Sequence, residues 1–399
     1  MSTTSIHLAA RPLARVTLTA LGLWLLLAVL TPVQAGWEVR EVDGQQFVTL
    51  RTFCEFYDLP YRDPGDVKDF ETKNSKFHIK FNGDSRIAEI NNIRHWMCFE
   101  AMKVENEDSG DMEWLISKVD LIKLFEPIMR PHLIKDRTPV KGVVLDPGHG
   151  GSDKGAVSRR GKREKDYALD LAFRIEKILR SHGINVVMTR RTDTFVGLHE
   201  RTKRAAKYKD YIFVSLHFNA AHSRAKGLET FACTPPGAPS QSSKKLRRSD
   251  FERQNGNDAD RRNILLAHEI QNEIMRIYDH KEDLDRGVKR ARFVVLRTAE
   301  QPAVLVEGGF LSNRWESGLV ERASHRQKLA QLISNGIRNY MALMEPRLPS
   351  KPLTSGQPTI ISQAPPISGG GESDSPAGQK DPPTVIYPAT SSRPSGGSP

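Results

Sequence analysis

The sequence predicts an α/β protein whose main domain is a twisted, mainly parallel sheet flanked by helices. From about residue 138 to 345, short apolar runs typical of buried strands alternate with amphipathic helical patterns, which is the order of a parallel sheet. A glycine-rich stretch, "GVVLDPGHGGSDKGAV" at 142–157, follows the first of these runs directly. Glycine and proline end a strand there, at the edge of the sheet where such folds bind ligands.

The elements of this region follow from local patterns. In the first predicted helix, Tyr167, Leu171, Ile175 and Ile178 recur at helical spacing, and Gly183 is placed to end the helix. Strands are predicted at 142–146, 184–190, 211–216, 227–233, 292–297 and 302–310. Helices are predicted at 163–183, 197–209, 262–278 and 325–344.

The first 35 residues have the pattern of a secretory signal peptide. Arg11 and Arg15 precede an uncharged apolar run at 16–30, and Val33 and Ala35 occupy the small-residue positions of a cleavage site. An uncleaved N-terminal anchor is the alternative. We therefore expect an exported protein of the periplasm or cell envelope, with no stable membrane span after signal cleavage.

Two further segments flank the main domain. Residues 36–135 hold short strand-like and helix-like runs and predict a small α+β module. Residues 346–399 are dominated by Pro, Ser, Gly and Thr and predict a disordered tail. Cys54 and Cys98 lie in the module and could form a disulfide, although three buried thiols, with Cys233 the third, fit as well.

The net charge of +11 suits an anionic partner such as nucleic acid, acidic lipid or a cell-wall polymer. The basic residues do not alternate with aromatic ones, and no nucleic-acid-binding motif is present. We therefore expect no nucleic-acid partner.

Three predicted strands end in a potential ligand or base: His149, His217 and Glu307. A catalytic zinc takes three protein ligands and leaves a fourth position open. Glu164 is the best third ligand because it opens the helix after the glycine loop, although an acid is favoured at a helix N-terminus in any case. Glu307 would then act as the general base toward the attacking water.

These residues lie in ordered blocks that resemble the zinc-dependent N-acetylmuramoyl-L-alanine amidases of the amidase type 3 family. The blocks are "VVLDPGHGGSDKGAV", "EKDYALDLA", "VVMTRRTDTFVGLHERTKRAA", "FVSLHFNAA", "FVVLR" and "PAVLVEGGFLSN", over roughly residues 140–343. The resemblance implies that His149, Glu164 and His217 hold Zn²⁺ and that Glu307 is the catalytic acid. It also implies a peptidoglycan substrate, cut at the amide between the lactyl group of N-acetylmuramic acid and L-alanine.

Three further residues of these blocks are candidates for roles around the site. Asp146 could orient a zinc ligand or could cap the loop. Asn219 and Arg201 match the blocks and could contact substrate, although Arg201 could instead be an exposed helix residue. Rival functions are a zinc peptidase acting on stem peptides and a non-catalytic cell-wall binding protein.

Residues 234–262 form a polar insertion that we expect near the active-site side of the sheet. Some family members carry a segment here that blocks zinc until an activator protein displaces it, and Asp250 and Glu252 are the acids that could reach the metal. A solvated loop is the favoured interpretation because the insertion is rich in Ser, Pro and basic residues.

The N-terminal module is weakly similar to the N-terminal repeats of copper amine oxidases, through "FVTLRTFCEFYDLPY" and "IAEINNIRHWMCFEAM". No set of copper ligands is visible in it. The module could hold the protein to the wall or to a partner, or it could be a passive spacer.

Overall fold

The computed structural model describes residue 37 and residues 39–63, 69–83, 85–106, 110–240 and 246–346. Within these ranges the strands are β1 (Val39–Val42), β2 (Gln45–Thr49), β3 (Asp69–Lys73), β4 (His78–Asn82), β5 (Ile87–Ile90), β6 (Ile93–Trp96), β7 (Met102–Glu105), β8 (Met112–Ser117), β9 (Gly142–Pro147), β10 (Asn185–Met188), β11 (Tyr211–Asn219), β12 (Leu228–Cys233), β13 (Asp285–Ala291) and β14 (Ala303–Phe310). The main helices are α1 (Leu50–Phe56), α2 (Glu164–Ser181), α3 (Leu198–Ala205), α4 (Asp260–Met275), α5 (Val294–Arg297), α6 (Arg314–Val320) and α7 (Ala323–Met344), and a further helical run covers Lys118–Asp120, Leu121–Phe125 and Glu126–Met129.

One ten-stranded sheet forms the centre of the molecule, in the order β10-β9-β11-β14-β12-β13-β6-β5-β4-β3. Strands β10, β9, β11 and β14 are parallel to one another. Strand β12 runs antiparallel to β14 and parallel to β13. Helices α2, α4 and α7 pack together beside this sheet, so the predicted α/β class with a mainly parallel sheet and flanking helices is confirmed.

The N-terminal segment contributes two groups of strands. Strands β1, β2, β8 and β7 make a separate antiparallel sheet of four. Strands β3 to β6 form an antiparallel meander that extends the central sheet, because β6 pairs with β13 in parallel at His95 and Val288. The boundary predicted near residues 135–138 is thus crossed by the sheet, and both segments belong to one compact unit.

Buried polar contacts also join the two segments. Arg290 on β13 donates to Asp260 Oδ1 at 2.6 Å and to the carbonyl oxygen of Lys123 at 2.5 Å. The rings of His95 on β6 and His268 on α4 lie with Nε2 and Nδ1 3.0 Å apart. Since buried polar groups need partners, these contacts fix the N-terminal strands against the sheet.

The prediction of a strand at 292–297 is wrong. The strand is β13, Asp285–Ala291, and the residues Val294–Arg297 form the short helix α5. Strand β13 is buried although it carries Lys289 and Arg290, because Glu229 and Asp260 pair with these cations. Because of these charged residues, the sequence of β13 lacks the apolar pattern by which a buried strand is predicted.

The predicted signal peptide at 1–35 lies outside the described residues, as does the predicted tail apart from Pro346. Among the described residues, no helix combines the length and the apolar composition needed to cross a membrane. Cys54, Cys98 and Cys233 are buried free thiols, so the optional disulfide between Cys54 and Cys98 is absent.

Candidate metal centre

The three strands that end in predicted functional residues are neighbours in the sheet. Strand β11 lies between β9 and β14, with Ser215 beside Asp146 and His217 beside Glu307. His149 follows β9 by two residues. Because the three strands are parallel, their carboxyl ends bring His149, His217 and Glu307 to one edge of the sheet.

His149, Glu164 and His217 converge on one point at this edge, with ligand atoms within 4.8 Å of one another. Nε2 of His149 lies 3.0 Å from Oε1 of Glu164, and Nδ1 of His217 lies 2.8 Å from the same oxygen. Two imidazole nitrogens and one carboxylate oxygen are the donors of a catalytic zinc site with its fourth position open. The residues present therefore fit a zinc ion.

The glycines of the loop are required by these close approaches. A Cβ atom on Gly148 would lie 2.3 Å from Cε1 of His217. One on Gly155 would lie 2.5 Å from Oε2 of Glu164, and Gly155 also has a φ of +62°. A side chain at either position would displace His217 or Glu164 from the candidate metal centre.

Hydrogen bonds from outside the group of three orient two of these candidate ligands. Nδ1 of His149 lies 2.8 Å from Oδ2 of Asp153, which leaves Nε2 directed at the metal position. The backbone N–H of Ala156 donates to Oε2 of Glu164 at 2.7 Å. Carboxylates commonly hold metal-binding histidines in this way. Sequence reasoning missed Asp153, although its place four residues after His149 in the loop was a usable signal.

The two histidines also set the charge of Glu164. Burial alone would raise the pKa of this carboxyl group, but hydrogen bonds with His149 and His217 hold it well below its usual range. The side chain of Glu164 is buried, at 4% exposed. A carboxylate buried to this extent stays ionised beside cations or a metal ion.

Glu307 differs from Glu164 in having a free oxygen. Its Oε2 atom is buried and has no hydrogen-bond partner among the described residues. Burial raises the pKa of Glu307 well above its usual range, and the carboxylates of Glu164 and Glu229 raise it further while Lys289 opposes them. An unpartnered carboxyl group with a raised pKa binds a proton more readily than an ordinary one, which is the property that proton transfer at this position requires.

A second buried acid, Glu229, lies opposite Glu307 on β12. Asn219 donates from Nδ2 to Oε1 of Glu229 at 2.6 Å. Arg286 and Lys289 donate to its Oε2 at 2.7 and 2.5 Å. Asn219 is thus directed at Glu229 in this structure. Sequence reasoning missed Glu229, because the antiparallel direction of β12 that brings it to the site is not encoded locally.

Asp146 and Arg201 form a buried ion pair under the glycine loop, with Arg201 only 2% exposed. Nη1 of Arg201 lies 2.7 Å from Oδ1 of Asp146, and Nη2 donates to the backbone oxygen of His149 at 2.7 Å. Asp146 also accepts from Thr189 and Ser215. The alternative of an exposed helix residue is wrong for Arg201. Among the described residues, Asp146 makes no side-chain hydrogen bond or ion pair with His149, Glu164 or His217, and Arg201 links it to the backbone of His149.

Replacing Arg201 with alanine is expected to lower the free energy of unfolding by about 3–5 kcal/mol, because Asp146 would remain buried with an uncompensated charge. Chemical denaturation measures this difference. The exposed Lys203 on the same helix provides the control, since Lys203→Ala should change stability by less than about 0.5 kcal/mol. Equal stabilities of the two variants would contradict the structural role given to the pair.

The insertion lies at the opposite edge of the sheet, so the expectation that it is near the active-site side is wrong. Strand β12 runs antiparallel to β14, so its first residues lie at the site, where Glu229 pairs with Glu307. The insertion begins after Cys233, at the other end of β12. Asp250 is buried and pairs with Arg292 at 3.0 Å. The described residues of the insertion therefore place neither Asp250 nor Glu252 at the metal position.

The insertion is also more packed than a solvated loop. Arg292 donates to the backbone oxygens of Ala238 and Asp250, and Arg86 of the N-terminal segment donates to that of Pro239. Phe251, one of its two large apolar residues with Leu246, is 46% exposed. The favoured interpretation of a solvated loop thus holds only for part of the described insertion.

The fold and the site together define an α/β protein with a candidate catalytic metal centre of two histidines and one glutamate. Residues 143–339 match the family model described as N-acetylmuramoyl-L-alanine amidase. The amidase AmiA of Escherichia coli K12 is 33% identical over 251 residues, which cover 57% of this chain and 86% of AmiA. The chain belongs to this family of N-acetylmuramoyl-L-alanine amidases.

Other relatives cover a similar part of the chain. The amidase AmiC of Neisseria meningitidis is 34% identical over 51% of this chain and 53% of its own length. The solved catalytic domain of the amidase CwlV, from Bacillus (Paenibacillus) polymyxa var. colistinus, is 31% identical, covers 51% of this chain and 99% of that domain, and has a TM-score of 0.41.

Proposed function

We propose that the protein is a zinc-dependent N-acetylmuramoyl-L-alanine amidase that acts on peptidoglycan. It would hydrolyse the amide between the lactyl group of N-acetylmuramic acid and the L-alanine of the stem peptide, in cell-wall remodelling or daughter-cell separation. The observation that carries the proposal is the convergence of His149, Glu164 and His217 beside the unpartnered carboxyl oxygen of Glu307, in a chain of the amidase family.

The metal would be held by Nε2 of His149, a carboxylate oxygen of Glu164 and Nδ1 of His217. A bound zinc ion would supply a Lewis acid that polarises the scissile carbonyl group and lowers the pKa of water at the site. Asp153 keeps His149 in the tautomer that presents Nε2.

Glu307 would take a proton from the attacking water and pass it to the leaving amine of alanine. Two features of the structure support this role. Oε2 of Glu307 has no partner among the described residues, and the strand neighbour His217 places Glu307 beside the ligand set. Gly308 and Gly309 follow Glu307 directly within β14, and Gly309 has a φ of +119°, a backbone conformation that favours glycine.

The surroundings of the protein are part of the proposal. A peptidoglycan substrate agrees with export to the periplasm or cell envelope, through the predicted signal peptide. An activator protein acting on the 234–262 insertion would have to work from the far edge of the sheet, because its described residues lie there.

Digestion of purified peptidoglycan, with the new ends identified by mass spectrometry, tests the proposal. We expect free lactyl groups on muramic acid and new N-terminal alanine, both lost after chelation and restored by Zn²⁺. Stem peptides trimmed elsewhere, with the lactyl amide intact, would instead show a zinc peptidase. Binding to peptidoglycan without any new ends would show a non-catalytic wall-binding protein.

A further inference from the structure

We propose that a basic hairpin beside the metal position binds the carboxylates of the substrate's stem peptide. This hairpin comprises residues 157–163, between the ligands His149 and Glu164. The inference rests on the proposed function and concerns how that site recognises its substrate. It assigns a role to residues that the chemistry described so far does not use.

The hairpin is rooted on a metal ligand. The backbone N–H of Ala156 donates to Oε2 of Glu164 at 2.7 Å, and the N–H of Glu164 donates to the backbone oxygen of Ala156 at 2.8 Å. Val157 and Arg163 then pair as an antiparallel bridge. The root of the hairpin is therefore a wall of the metal centre.

The rest of the hairpin is ordered by its own backbone. The N–H of Ser158 donates to the oxygen of Lys162, and the N–H of Gly161 donates to the oxygen of Ser158, both at 2.8 Å. Gly161 has a φ of +74°, which closes the turn. A turn fixed in this way presents its side chains at defined positions and loses little entropy when they bind a ligand.

Residues 154–163, which are the hairpin and the three residues before it, carry five exposed cations: Lys154, Arg159, Arg160, Lys162 and Arg163. Two of these cations form ion pairs, Arg160 with Glu321 and Arg163 with Asp166. Lys154, Arg159 and Lys162 have no side-chain partner among the described residues. The hairpin therefore offers unpaired positive charge two or three residues from the root that Ala156 and Glu164 form.

Charge and reach favour an acidic peptide as the ligand. Two to three extended residues span about 7–10 Å, both along a hairpin strand and along a bound peptide. A stem peptide that runs along the hairpin from the metal position would therefore place its second and third residues level with the cations at the tip. Stem peptides carry carboxylates, whereas the glycan strand on the other side of the scissile bond is uncharged.

The test compares two doubly substituted proteins on two soluble substrates. Arg159→Ser/Lys162→Ser removes two unpaired cations from the hairpin. Lys177→Ser/Lys209→Ser removes the same charge elsewhere. Lys177 lies about 20 Å along α2 from Glu164. Lys209 is exposed and precedes β11 at the other edge of the sheet. The substrates are a muropeptide with free stem carboxylates and the same muropeptide with those carboxylates amidated.

We expect the hairpin variant to raise KM for the free-carboxylate muropeptide by about three- to tenfold with kcat nearly unchanged, since exposed ion pairs contribute modest, uniform binding. The amidated muropeptide should lose this sensitivity, and the control variant should resemble wild type on both. Zinc content and melting temperature should be the same in all three proteins.

The outcomes separate the inference from the function on which it rests. Failure of wild type to cleave the lactyl amide in either muropeptide would overturn the proposed function. Cleavage by wild type with an unchanged KM in the hairpin variant would overturn only the hairpin's role. An equal loss in both double variants would also overturn it, because attraction by overall charge would then suffice.

Discussion

Glu307→Ala is expected to retain zinc and fold and to lose turnover by about 10²–10⁴-fold, the usual contribution of a general acid–base group. The three proposed ligands would already satisfy a catalytic zinc, so removing Glu307 would take away a proton acceptor and not a donor to the metal. Zinc content, melting temperature and release of N-terminal alanine from peptidoglycan should be measured on one preparation.

Glu307→Gln is the matched control because it keeps the shape of the side chain and removes the basic oxygen. It should be as inactive as the alanine variant. A fall in zinc content in both variants would show that Glu307 is a fourth ligand. A fall in melting temperature with full activity per folded molecule would show an anchoring role, and a zinc-loaded, fully active Glu307→Ala protein would remove it from the mechanism.

His217→Ala is expected to reduce bound zinc from near one equivalent to a small fraction. The substitution deletes one of the three proposed donors, Nδ1 of His217, which lies 2.8 Å from Oε1 of Glu164. Metal analysis after dialysis measures the loss. His199→Ala provides the control, because His199 is exposed on α3 and, among the described residues, makes no hydrogen bond or ion pair with His149, Glu164 or His217. Equal zinc in the two variants would contradict the assignment of the metal centre.

Much of this centre could be predicted because its parts are encoded locally. An apolar run followed by glycines or a polar residue marks the end of a buried strand, and β9, β11 and β14 each have this pattern. Parallel strands have a common polarity, so their ends meet. The position of Glu164 at the start of α2 followed from the same local reasoning.

The remaining features depend on pairing between distant segments. The local sequence of β12 does not indicate that the strand runs antiparallel to β14. This direction brings Glu229 to the site and places the insertion at the other end of the strand. Strand β13 was missed for a related reason. Its Lys289 and Arg290 are tolerated inside only because Glu229 and Asp260, from other elements, neutralise them.

The extension of the central sheet by β6 has a consequence for work with fragments. A catalytic fragment that began at residue 138 would lack the strand that covers β13, and His268 would lose its partner His95. The freed strand would present unpaired backbone N–H and C=O groups, which are a template for aggregation or for pairing with a second chain. A usable fragment for expression or crystallisation therefore has to begin before β3, since strands β3 to β6, residues 69–96, supply the edge protection of the enzyme.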